Sequence, residues 1–276
     1  MVEKKRPLSK VFTYALLILI VFLTLLPLVW MLSASLKLNK DVFTVPIQWL
    51  PKDPQWVNYL KIWERIPLGT FTFNSFKLSI IITVIQVLTS SFAAYGFAKC
   101  KFKGRNGLFL AYVATIAIPW QVYMLPQFIE MRALGLTNTH LGYILMQSFI
   151  ALGVFLIRQC SLSIPDELLE AARIDGLNEY GIYFRIVLPL SKPVIATLTI
   201  FSFVTIWNDF MGPMIYFNPT KLKTIQLGIR MFIGQYSSDY AMIMAASVVA
   251  LVPVFMVFLF FQKFFVQGVS TSGLKG

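Results

Sequence analysis

From Val11 to Leu32 the chain runs twenty-two residues without one charged side chain. At ~1.5 Å of rise per residue that is about 33 Å of helix, enough to cross the ~30 Å of hydrocarbon in a bilayer. In lipid every backbone N–H and C=O must find its partner inside the protein, and a helix does this within one segment. The run exceeds the ~7–15 apolar residues of a cleaved signal. An uncleaved first span is therefore expected, although Ser33-Ala34-Ser35 follows it as a small-residue site.

Further apolar runs follow. Leu78–Ala98, Leu108–Ile129, Leu141–Ile157 and Ala241–Phe261 carry no charge, and Pro193–Gly212 is interrupted late by Asn208 and Asp209. The expectation is one all-α membrane domain over residues 1–276. Its six transmembrane helices fall near 11–33, 74–98, 107–130, 140–158, 191–212 and 241–262, with a polar loop at 163–190. Pro119 and Pro126 lie inside the third run. Proline removes a backbone donor and clashes with the preceding turn, so a kink or break is expected there. Residues 37–72 form a proline-rich loop with short surface helices around Trp56–Glu64.

Six spans put both ends of the chain on one side, and the bases choose which. With an inside N-terminus, fourteen of the twenty-four lysines and arginines fall inside. The shortest loop decides it, with Lys99, Lys101, Lys103 and Arg105 in seven residues. Both termini and the 163–190 loop are then cytoplasmic. The net charge of +12 would suggest nucleic acid in a soluble chain. Here the bases sit between apolar runs, which fits the cytoplasmic lipid surface and no nucleic acid. Cys100 and Cys160 lie at the cytoplasmic ends of runs, where a disulfide is not expected.

The 163–190 loop carries much of the charge between the runs. Pro165 opens a short amphipathic helix, with Asp166 and Glu167 at the positive end of its dipole. Gly176 is placed to end it as a left-handed residue. Paired Ala171 and Ala172 would let another protein approach closely. Glu170-Ala171-Ala172, then Asp175-Gly176, then Ile186-x-Leu188-Pro189 resembles the EAA loop of permease subunits of ABC importers. The likeness extends along the chain. It includes Phe73-Asn74-Ser75, Ile118-Pro119, Trp207-Asn208-Asp209-Phe210, and the tail from Phe261 through Gly273-Leu274-Lys275-Gly276. Together these are similar to the shorter, six-span permease of the maltose and multiple-sugar class.

The resemblance implies a type I importer permease fold with a cytoplasmic coupling helix. It implies a chain that is not an enzyme and that imports a sugar or oligosaccharide across a bacterial cytoplasmic membrane. The implied partners are a second homologous permease, two ATPase subunits and an extracytoplasmic sugar-binding protein. Coupling to the ATPase is implied for Glu170, Ala171, Ala172, Asp175, Gly176, Leu188 and Pro189, with Gly273–Gly276 as a secondary contact. The last external loop, with Tyr236, Asp239 and Tyr240, would meet the binding protein.

The residues themselves agree on one point. Gly268–Lys275 approaches a phosphate-binding loop, but Leu274 separates the second glycine from the lysine that must reach the phosphates. No cofactor is expected on this chain, so ATP and magnesium belong to the partner ATPase. No His, Cys and carboxylate cluster has metal spacing, and no nucleophile–base pair is visible. Intramembrane polar groups are costly and tend to face a bundle interior or water. Asn74, Ser75, Gln86, Gln121, Gln127, Gln147 and Asn208 are the candidates for a translocation path. Asp209, roughly 25 Å along a helix begun at Lys192, is expected as an interfacial or capping group. A stand-alone secondary sugar carrier or channel is the alternative. It would need an acid–base relay within the membrane, and acidic residues are absent from five of the six runs.

Overall fold

The computed structural model describes residues 7–234 and 238–272, and apart from one isolated bridge between Ile233 and Ser238 their regular elements are helical. The chain divides into two compact units. One comprises the chain up to Leu68 together with Gly228–Val252; the other comprises Gly69–Leu227 and the chain from Pro253 onward.

In the first unit, α1 (Pro7–Ser35) is a single long helix whose most apolar stretch contains no buried residue. Its C-terminal end holds α2 (Asn58–Arg65) by polar ties. The Asn58 amide donates to the carbonyls of Ser35 and Lys37, both at 2.9 Å, and the Ser35 and Tyr59 hydroxyls lie 2.7 Å apart. These bonds satisfy carbonyls that a helix end leaves without partners. Ala34, Val42 and Ala241 form the apolar centre, with Trp30 and Met244 packed on it.

The second unit contains α3 (Leu68–Lys99), α4 (Arg105–Ala114), α5 (Trp120–Ala133), α6 (His140–Gln147), α7 (Ala151–Leu162), α8 (Asp166–Ile174), α9 (Glu179–Ile182), α10 (Leu188–Leu190), α11 (Lys192–Trp207), α12 (Met211–Tyr216) and the first half of α13 (Ile225–Arg230). The chain's last helix is α14 (Tyr240–Ser272), with Pro253 inside it. Among the described residues three unbroken helices are long and apolar enough to cross a membrane: Lys10–Ser35, Leu68–Lys99 and Tyr240–Lys263. Three more candidates are bent pairs. Arg105–Ala117 meets Trp120–Ala133 at 100°, His140–Gln147 meets Ala151–Leu162 at 42°, and Glu179–Leu190 meets Lys192–Trp207 at 77°.

The 100° bend falls at Ile118-Pro119, where both residues are extended. The ring of Pro119 disfavours the helical region at Ile118. Pro126 sits inside α5 without ending it. The 42° bend has no proline or glycine at Ser148–Ile150. Side chains of α3 meet the carbonyls it frees. Gln86 Nε2 donates to Gln147 O at 2.6 Å, and Thr89 Oγ1 lies 3.1 Å from Ser148 O, with Ile85 O at 2.8 Å competing for its one proton. Irregular backbone at membrane depth is tolerated only where protein or water supplies such partners. Gly153, just past the bend, lets α7 lie against α3 and α11: a Cβ there would stand 2.5 Å from Ser90 Oγ and 2.9 Å from Leu198 Cδ2.

Candidate functional site

The α8 helix begins where the sequence places it. Pro165 is extended before the first turn, and Asp166 and Glu167 occupy that turn. It ends at Gly176, which has φ of 84°. Gly176 N–H donates to Arg173 O and Leu177 N–H to Ala172 O, both at 3.0 Å, closing orphan carbonyls of the last turn. Leu169 and Ala172 face inward, into an apolar cluster with Tyr95, Ile164, Ile182, Tyr183 and Val187.

Ion pairs hold the same helix at both ends. Lys99, at the end of α3, donates to Asp166 Oδ1 at 2.7 Å and to Ile164 O at 2.6 Å. The lysine side chain is 5% exposed while the aspartate is 76% exposed. At the other end Arg173 Nε donates to Glu179 Oε1 at 3.0 Å, and the second oxygen of Glu179 accepts from the Tyr95 hydroxyl. The hydrogen bond and charge of Lys99 hold the Asp166 carboxyl below its ordinary range. The Tyr95 hydroxyl, then Arg173, do the same for Glu179, and Glu179 in turn raises the Arg173 guanidinium. Arg105 donates to the carbonyls of Ala98 and Cys100, at 3.3 and 3.0 Å, and so folds the basic loop back on the end of α3. Between this loop and α8 lies an open cleft of about 1020 Å³, lined in part by Lys99, Lys101, Asp166, Glu170 and Arg173.

The outer face of α8 presents Glu170 and Ala171, with Asp175 and Gly176 beyond its end. Among the described residues Glu170 has no ion-pair partner within bridging distance; it contributes only a longer-range field at Arg173. Ile174 joins this face and is 87% exposed. Sequence reasoning missed it. The available signal was a β-branched apolar residue three and four positions after Ala171 and Glu170, two positions before the Gly176 stop. Two expectations are corrected here. Ala172 does not offer close approach to a partner, because it is buried against the chain's own cluster. Leu188 likewise packs on that cluster from α10, while Pro189 beside it is exposed.

The path candidates separate into three groups. Asn74 and Ser75 are buried ties: the Asn74 amide donates to Lys221 O and Lys223 O, and Ser75 Oγ accepts from Ile225 N–H. Gln86 and Gln147 meet at the 42° bend, so the pair maintains backbone structure there. Gln127 accepts from Trp120 Nε1 at 3.0 Å, Asn208 from Gln226 at 3.2 Å, and Gln121 is exposed. Asp209 accepts from the Tyr143 hydroxyl at 2.6 Å and from Gly212 N–H at 3.1 Å, so it ties the first turn of α12 to α6.

In the first unit Asp239 pairs with Arg65 at 2.7 Å and accepts from Met242 N–H at the start of α14. Tyr240 N–H donates to Asn39 Oδ1, and its ring meets Phe43 edge-on at 4.8 Å. Tyr236 and Gly273–Gly276 lie outside the described residues. No group of three or more His, Cys, Asp or Glu that could hold a metal occurs among the described residues.

A membrane-embedded helical chain with a clasped, outward-facing surface helix between apolar segments is the build of a transporter's membrane subunit. Residues 86–271 match the family described as the binding-protein-dependent transport system inner membrane component, and the chain belongs to that family. It is a permease subunit of an ABC importer and not an enzyme, since ATP hydrolysis lies in separate subunits. Its relatives include the arabinooligosaccharides transport system permease protein AraQ of Halalkalibacterium halodurans, 35% identical over 99% of this chain and 100% of that one. The sulfoquinovosyl glycerol permease SmoH of Agrobacterium fabrum is 34% identical over 91% of this chain and 89% of its own. A chain of a bacterial ABC transporter that imports the acidic polysaccharide alginate has the same fold, with a TM-score of 0.82 at 23% identity, covering 96% of this chain and 99% of that one.

Proposed function

We propose that this chain is one half of a heterodimeric pore that imports an oligosaccharide or another glycosylated solute. A second permease would complete the pathway. Two cytoplasmic ATPases holding ATP and magnesium would drive it, and an extracytoplasmic binding protein would deliver the cargo. Both termini and α8 lie in the cytoplasm in this reading, with six spans formed by the three unbroken helices and the three bent pairs. The cargo class rests on the relatives named above, which carry arabinooligosaccharides and a sulfoquinovosyl glycerol. Gln121, Gln127 and Asn208 remain the path candidates, since their amides are not wholly buried in structural ties. Asp239 and Tyr240, with Tyr236, are the candidate contacts for the binding protein.

One observation carries the coupling role: α8 is buried and ion-paired on its inner side, yet leaves a carboxylate and a large apolar side chain bare on its outer side. Glu170 would pair with a basic side chain of the ATPase, ideally a bidentate arginine. Ile174 would fill an apolar pocket beside it, and central apolar anchors carry most interface energy. Asp175 and Gly176 would shape the seat, and Pro189 lies at the exposed rim of the same loop. Glu170→Lys is expected to leave the protein in the membrane while the ATPase subunits no longer copurify. Ile174→Asp should do the same. Normal copurification in both variants would refute the docking assignment.

A further inference from the structure

Tyr95 and Lys99 are four residues apart on α3 and therefore share one face of it. Each reaches a different end of α8. Lys99 holds the first turn through Asp166 and Ile164 O. Tyr95 holds the last turn through Glu179, whose other oxygen takes Arg173. One helix therefore clasps another at two points, with Leu169 and Ala172 packed between them. The same stretch of α3 supports the segment after α9: Phe92 stacks on Tyr183 with centroids 4.3 Å apart, and Ser91 Oγ lies 2.6 Å from the Tyr183 hydroxyl. That segment, Tyr183–Val187, is a single π-helical turn, a rare form, with neighbouring rings packed against it.

A lone surface ion pair would do little here, because exposed pairs are weak and separable. Lys99 is not such a pair. Its side chain is almost wholly buried at the end of a transmembrane helix, and its ammonium emerges only at Asp166 and the Ile164 carbonyl. Burying the stem while leaving the charged head its partners fixes where the head can be. The second point differs: the Arg173–Glu179 pair is half exposed, and the Tyr95 hydroxyl braces it through the other oxygen of Glu179. Two points of attachment together hinder rotation of α8 about either one. Along the same α3 helix, Gln86 holds the carbonyl of Gln147 at the 42° bend.

We propose that Tyr95, Lys99 and Glu179 are positioning residues that make α3 the strut of coupling. The ATPase moves α8, and the clasp obliges α3 to move with it as one body. The proposal rests on α8 being the ATPase contact. It adds that the force enters the membrane through α3, in addition to the chain's direct continuation into α11.

The test uses the assembled importer in lipid nanodiscs, with Cys100→Ser and Cys160→Ser as background. Spin labels are placed at Glu167→Cys on α8 and Val84→Cys on α3, and their separation is measured without nucleotide and with Mg-ATP. With the clasp intact the separation is expected to stay constant between the two states. With Tyr95→Phe and Lys99→Met together it should broaden or shift on adding Mg-ATP. Stimulation of ATP hydrolysis by the importer's own binding protein should then fall several-fold, with KM for ATP unchanged. Glu179→Gln should act in the same direction, and Lys99→Arg, which keeps the charge, should restore stimulation. A separation that changes with Mg-ATP while the clasp is intact would overturn the proposal, as would full stimulation in the double variant. Glu170→Lys separates the two failures. If it sheds the ATPase while the clasp variants remain fully stimulated, only the strut is lost. If it keeps the ATPase, the docking reading itself has failed.

Discussion

The 100° bend at Pro119 and the 42° bend at Ser148–Ile150 interrupt neighbouring stretches of the same unit, and they arise from different physics. At Pro119 the covalent structure acts locally: the ring biases Ile118 away from the helical region. At Ser148–Ile150 nothing in the local sequence forbids a helix. There the bend is held by α3, through Gln86 and the hydroxyls of Thr89 and Ser90, and by the close seat of Gly153. A break imposed by one residue should survive changes in its neighbours. A break held by a partner helix should depend on that partner more than on its own residues.

The largest effect is expected at Gly153, because there the two helices touch with no room to spare. Gly153→Val would drive a branched side chain into Ser90 and into Leu198, which is fully buried. Overpacking of this kind costs about 1–3 kcal/mol, and more where neighbours cannot retreat. Thermal unfolding of the detergent-solubilised complex should show a clear fall in Tm. An unchanged Tm would mean that α7 and α3 are not held at this distance.

Gln86→Leu comes next. It keeps the volume of the side chain but leaves Gln147 O without its donor. A buried carbonyl left unpaired costs about 1–3 kcal/mol. Some of this returns, because the Gln86 Oε1 that has no partner is removed too. Hydrogen exchange of the amides at 148–153 should quicken, while that at 118–122 stays as it was. Equal quickening at both bends would erase the distinction between them.

The same contrast explains how much could be read from the sequence. Pro119, the Asp166-Glu167 start of α8 and its Gly176 stop are local signals, and each acts in the structure where the chain places it. The membrane class was legible from uncharged runs alone. The polar row on α3 was legible as polar, but not its purpose. Amides inside a membrane serve a solute or a backbone, and only the position of Gln147 O reveals that Gln86 serves the backbone. Likewise Ala171 and Ala172 are adjacent and chemically identical, yet one faces out and the other in. On a nine-residue helix the apolar pattern is too short to fix the rotation, so the division of Ala172 from Ile174 required the packed cluster beneath.

Pro119→Ala should have the smallest effect, and for a reason that qualifies the contrast. The substitution restores a backbone donor and lifts the steric bar on Ile118, so a chain governed only by local rules would straighten. The two arms of this bend are nevertheless fixed elsewhere. Phe109 of α4 packs with Ala94, Val154, Ile157 and Leu198, whereas Met131 and Phe128 of α5 belong to the cluster around Tyr143, Tyr216 and Phe217. Straightening the bend would pull one arm out of its cluster, and burying a large apolar side chain is worth ~1.5–3 kcal/mol. A restored helical hydrogen bond returns only about 0.5–1.5 kcal/mol. The bend should therefore persist, with stability lowered by ~0.4–1 kcal/mol because the unfolded chain regains the freedom that proline had removed. Spin labels at Leu110→Cys and Leu125→Cys, one on each arm, would report the angle. A separation that lengthens toward that of a continuous helix would show that Pro119 alone holds the break.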